Sequence, residues 1–194
     1  MTRLKHNLAG PALVAGFCLS GTALAQPMGE VSPRIAELTL GLFCAPPEGD
    51  RRPAPGTMSG WVHVPEDPVE MVARGVEAPA LLGMGFGVRY RLTDMQPAVT
   101  RYTVTHPPMP PSGTTVQSWE GGLAGGSTDS VFFQFDIPDE LQPGDWSFTV
   151  EADGELLFSA AFTVRPPSEL PELAQLCRGG ALFSLNRTGL AAAG

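Results

Sequence analysis

The chain has 194 residues, with 20 Asp and Glu against 12 Lys and Arg and a formal net charge of −8. An acidic surface repels phosphate backbones, which argues against a nucleic-acid partner and against electrostatic docking on anionic lipid. The 20 Pro and 23 Gly fall between short segments rich in β-branched and aromatic residues, the texture of an all-β domain with many turns.

The N-terminus reads as a secretory signal. Arg3, Lys5 and His6 form a short basic start, Leu8 to Leu24 is apolar and uncharged, and Ala23-Leu24-Ala25 supplies the small residues of a cleavage site. Gly10, Pro11, Gly16, Ser20 and Gly21 interrupt the apolar run, which is also too short to span a bilayer. Cleavage after Ala25 leaves Gln26 to Gly194, with 10 Arg, no Lys and 20 acids. No later stretch is apolar enough to span a membrane. The expected localisation is therefore periplasmic or secreted.

Arg34 to Ala45 predicts the first strand, alternating cleanly from Leu38. A proline-rich loop follows, from Ala45 to Gly56. Ser59 to Val64 predicts a short strand stopped by Pro65, and Met71 to Val76 another. Gly85 to Leu92 is a strong strand signal, with Phe86, Val88, Tyr90 and Leu92 on one face. Val99 to Thr105 alternates again until His106-Pro107-Pro108, which predicts its end. Thr114 to Trp119 and Val131 to Ile137 predict two more, separated by a Gly/Ser-rich loop. Trp146 to Ala152 and Glu155 to Val164 flank Asp153-Gly154, the pattern of a tight hairpin. Ser168 to Leu176 predicts a short helix capped by Ser168. Ala181 to Leu185 is a candidate edge strand, and Gly189 to Gly194 a frayed end. Seven or eight strands with regular turns and no helical crossovers predict one β-sandwich. The expected organisation is a signal peptide over 1–25, a sandwich domain over 26–166, and an extension over 167–194 packed on it.

Cys44 and Cys177 are the two cysteines left after cleavage, and an even pair in an exported chain predicts a disulfide. Its loop exceeds 130 residues, which chain-entropy models value at about 4–5 kcal/mol.

The strings GMGFGVRYRLTD, THPPMPPSG and ELQPGDWSFTVEADGELLFSAAFTV resemble a family of exported bacterial domains of unknown function, over roughly Leu38 to Val164. The resemblance implies an immunoglobulin-like antiparallel β-sandwich in an exported protein. It supplies no activity.

The candidate sites are few. His106-Pro107-Pro108-Met109 sets an imidazole beside a thioether, a donor pair suited to copper, with His63 or Met58 as further ligands. A structural turn with a packed Met is the simpler reading of the same residues. Gly83 to Gly87 lacks the helix and Lys of a phosphate loop and reads as a bulge or a close backbone approach. The chain has no Gly-x-Ser-x-Gly elbow and no His-Glu-x-x-His, so no enzyme is predicted and no catalytic residue is assigned. Arg89, Arg91 and Arg101 point away from the predicted core on what read as neighbouring strands, a candidate surface for a carboxylate-bearing ligand. The expectation is thus a non-enzymatic binding module without a required cofactor, whose partner is a protein or envelope component, with copper binding as the alternative.

Overall fold

The structure, a computed structural model, describes residues 28–46 and 49–177. The expected signal peptide, the candidate strand at Ala181 to Leu185 and the C-terminal end lie outside the described residues.

Twelve strands run in order: β1 (Met28–Val31), β2 (Ile35–Cys44), β3 (Asp50–Pro53), β4 (Trp61–Val64), β5 (Met71–Arg74), β6 (Glu77–Pro79), β7 (Met84–Leu92), β8 (Ala98–Met109), β9 (Thr114–Leu123), β10 (Thr128–Gln134), β11 (Gly144–Ala152) and β12 (Glu155–Arg165). A front sheet has the order β1-β12-β11-β8-β9, with β6 also on β12, and a back sheet has the order β10-β7-β2-β5. Hairpin β3–β4 stands apart from both. From β7 onward the chain passes from the back sheet to β8 and β9 in front, returns to β10 behind, and finishes on β11 and β12 in front. That Greek-key path sets β8, β11 and β12 side by side opposite β7 and β10, the arrangement of an immunoglobulin-like sandwich.

The core follows from the period-2 alternation of these strands. Phe86, Val88, Tyr90 and Leu92 of β7 face Val104, Trp146, Phe148, Val150, Phe158, Phe162 and Val164 of the front sheet, all buried. Trp146 is the hub. Its ring centroid lies 5.3 Å from Phe86, 5.2 Å from Phe133 and 5.7 Å from Phe135, and its indole N–H donates to the Gln142 carbonyl at 2.9 Å. The β11–β12 turn has Asp153 at φ 52° and Gly154 at φ 84°, both positive as a type I′ hairpin requires.

Several elements differ from the expectation. β8 does not stop at His106. It runs on to Met109, because pairing with β11 ends at Thr105 and the prolines beyond it remove no hydrogen bond from that ladder. The predicted proline-rich loop contains β3, which pairs with β4 through Asp50↔Val64 to Pro53↔Trp61. The expected helix over Ser168 to Leu176 is a 3₁₀ turn at Leu173–Gln175. Pro166, Pro167 and Pro171 lack the amide donors a helix needs, and the segment is too short to offset the cost of nucleation. In β12, a register shift buries Leu157 and turns Leu156 outward, which breaks the alternation of the predicted strand at its start.

Cys44 and Cys177 are disulfide-bonded, with Cα atoms 5.3 Å apart. A disulfide and a sandwich of this kind fit an exported protein. Among the described residues no helix is long and apolar enough to cross a membrane.

Candidate functional site

β9 and β10 leave the short connection at 124–127 and diverge into different sheets. Among the described residues each pairs on one side only, β9 with β8 and β10 with β7. The wedge between them is a cleft of about 750 Å³, walled on its far side by β4 and residues 65–70.

Hairpin β3–β4 spans this wedge and is fastened at both ends. At the β9 end, Ser118 N–H donates to the Gly56 carbonyl at 3.0 Å, Met58 N–H donates to Gln117 Oε1 at 2.6 Å, and Arg52 donates to the Glu120 carbonyl. At the β10 end, His63 Nε2 donates to Asp136 Oδ1 at 3.1 Å. Gln134 Nε2 donates to the same carboxylate oxygen at 2.6 Å and lies 2.8 Å from His63 Nε2. The Gln134 amide oxygen is buried and has no partner among the described residues. Trp61, on the same face of the hairpin as His63, carries the Arg51 guanidinium 3.7 Å above its ring.

Beneath this lies Glu140, only 2% exposed. Its Oε2 accepts the Asp136 and Ile137 N–H groups at 2.7 and 3.3 Å. Burial pushes its carboxyl up to about 7, against those two hydrogen bonds. Deeper in, the Tyr90 and Tyr102 hydroxyls lie 3.3 Å apart, and Thr100 Oγ1 donates to Tyr102 at 2.7 Å. Burial raises both phenols above their usual range. Asp129, the cross-strand partner of Tyr90, is also raised by burial, and its Oδ1 accepts Ser130 N–H at 2.8 Å. The site thus offers hydrogen-bonding groups, aromatic surface and a free strand edge.

His106 and Met109 do come together, but on a glutamine. Gln117 Nε2 lies 3.3 Å from His106 Nε2 and 3.5 Å from Met109 Sδ, while Gln117 Oε1 holds Met58 N–H. His106 Nδ1 donates to the Pro107 carbonyl at 2.8 Å. That bond leaves Nε2 as the acceptor for the amide, and burial lowers the imidazole below its ordinary value. Among the described residues no group of three His, Cys, Asp or Glu side chains is placed to hold a metal.

The three arginines do not form one stripe. β7 and β8 belong to different sheets, which separates Arg101 from Arg89 and Arg91. Arg101 pairs with Glu120 at 3.1 Å and Arg91 with Glu37 at 2.7 Å. Arg89 alone reaches the cleft. The Gly83–Gly87 motif is a close approach rather than a bulge. A Cβ on Gly85 would stand 2.8 Å from the Phe132 ring, which stacks on Phe43 at 4.6 Å across the outer face of the back sheet.

Strand order and site together define an immunoglobulin-like sandwich with a cleft along one side. The chain belongs to the family of DUF3859, a domain of unknown function, whose model matches residues 31–164. No curated protein matches it. Among solved structures it is similar to an immunoglobulin-like protein from Pseudomonas aeruginosa, at 25% identity over 68% of this chain and 95% of that one, with a TM-score of 0.43.

Proposed function

We propose that this protein is a non-enzymatic exported module that binds a protein or envelope component in the cleft between β9 and β10. The observation that carries the reading is the cleft itself, a cavity within the size range of ligand sites, lined by aromatic and hydrogen-bonding side chains and held open by a hairpin fastened at both ends. The disulfide and the signal-like N-terminus support export after cleavage at Ala25. A non-enzymatic role is supported by the commitments of the best-placed base. His63 is engaged by Asp136 and Gln134, and among the described residues no hydroxyl pairs with it. The reading assigns no cofactor.

The test is an amide NMR titration of residues 26–194 with fractionated envelope components. Shifts concentrated on β4, β10 and residues 65–70 are the expected result. Shifts confined to the outer face of the front sheet would overturn it. So would chemical turnover of the bound component that disappears in His63→Ala. N-terminal sequencing of protein recovered from the envelope fraction is expected to begin at Gln26.

A further inference from the structure

Building on the binding reading above, we propose that the ligand is an extended polypeptide segment rich in basic side chains, which adds as a strand to the free edge of β10.

The argument begins with what lines the cleft. Every residue from Thr128 to Gln134 borders it. Side chains of a strand alternate between two faces, so a cavity touching seven successive residues runs along the backbone edge and not over one face. Among the described residues β10 pairs only with β7, and Ser130 N–H is satisfied by the carboxylate of Asp129 and not by that ladder. The alternation of an antiparallel pair then turns the main-chain groups of Ser130, Phe132 and Gln134 toward the cleft. The opposite wall includes β4, whose one partner among the described residues is β3. The slot is therefore bordered by two strand edges and runs about 24 Å along β10. Main-chain hydrogen bonding along such an edge is how extended peptides are captured.

Two further observations fix the chemistry of the guest. Setting aside Asp129 and Glu140, whose burial favours the neutral form, the lining carries the carboxyl groups of Glu66, Asp67, Glu70 and Asp136 against the guanidinium groups of Arg52 and Arg89. Arg52 is already committed to the Glu120 carbonyl. Charge complementarity thus calls for a cationic partner. Gln134, 9% exposed, also presents a buried amide oxygen without a donor among the described residues. A buried acceptor left unpaired is costly, and an N–H from a guest main chain or lysine satisfies it.

The experiment titrates residues 26–194 with a heptapeptide of alternating Lys and Val, followed by calorimetry and amide NMR. The controls are the same peptide with Glu for Lys, the Lys peptide N-methylated at alternate residues, and chitotriose. The expected result is binding of the Lys peptide with its largest shifts at Ser130, Phe132 and Gln134, and at least tenfold weaker binding of both modified peptides. Ser130→Pro removes the edge N–H that Asp129 otherwise caps, and is expected to weaken the Lys peptide at least tenfold. Gln134→Met tests the second contact should that proline variant not fold, and is expected to weaken binding severalfold. Equal binding of the N-methylated peptide would overturn strand addition while leaving the cleft as a binding site. Chitotriose shifting the cleft where the Lys peptide does not would overturn the peptide class alone. Absence of any cleft shift with every probe at millimolar concentration would overturn both this inference and the binding reading.

Discussion

Glu140 and His106 are buried ionisable side chains that pull stability in opposite directions with pH. The Glu140 carboxyl is held at about 7 in the fold against an ordinary value of 4.5. Its contribution to stability is therefore complete below about pH 4.5 and is lost as pH rises through 7. His106, lowered by burial, contributes above its ordinary 6.5, and that contribution is lost as pH falls through its depressed value. Glu140→Gln keeps an acceptor for the Asp136 and Ile137 N–H groups and removes the buried charge. The variant is expected to exceed the parent by on the order of 2–3 kcal/mol above pH 7 and to match it near pH 4.5. Urea denaturation across that range checks the sign. Trp146 shows the apolar counterpart. Replacing it with Ala empties the centre of a cluster built from both sheets and is expected to cost about 3–5 kcal/mol, read from the same denaturation curves.

At the scale of elements, the β11–β12 hairpin and the β3–β4 hairpin make a contrast. The first declares itself in the sequence, because Asp-Gly between alternating runs has one good solution. Gly154→Ala, at φ 84°, is expected to cost about 1 kcal/mol and to lower the melting temperature by several degrees. The second hairpin is hidden. Asp50–Pro53 has two arginines and a proline in place of an apolar alternation, and its strand geometry comes from pairing with β4 and docking on β9. The same division runs through the site. Period-2 patterning made the inward faces of β7, β8 and β11 legible. Gln117 and Gln134 gave no such signal, since a polar residue inside a strand reads as exposed until the fold sets His106 or His63 against it. The residues of the copper reading show the same point: His106 and Met109 do meet, at an amide that only the tertiary fold supplies. His63→Ala removes the tie between hairpin and β10. It is expected to leave global stability within about 1 kcal/mol of the parent and to speed hydrogen exchange of the β3–β4 amides at least tenfold, because the loss falls on a local opening.

For the whole molecule, the disulfide joins positions 133 apart in sequence and ties the chain beyond β12 back to the end of β2. Replacing Cys44 and Cys177 with Ser is expected to cost about 2–5 kcal/mol. Comparing urea midpoints with and without reductant measures the difference on one preparation. A chain with this cross-link is suited to an oxidising compartment.

The edge of β12 is occupied along its length, by β1 antiparallel at one end and by β6 parallel at the other. The chain reaches β6 from β5 in the back sheet after only two residues, Gly75 and Val76, so the two sheets are stitched by main chain on that side. On the side of β9 and β10 the sheets are joined at 124–127 and again by residues 135–143, which carry the chain from β10 to β11, and between these two links hydrogen bonds and packing alone hold the gap. Opening is therefore expected to fall on the β3–β4 hairpin that spans this gap. Water or a guest would enter by lifting the hairpin while the stitched side keeps the register of both sheets.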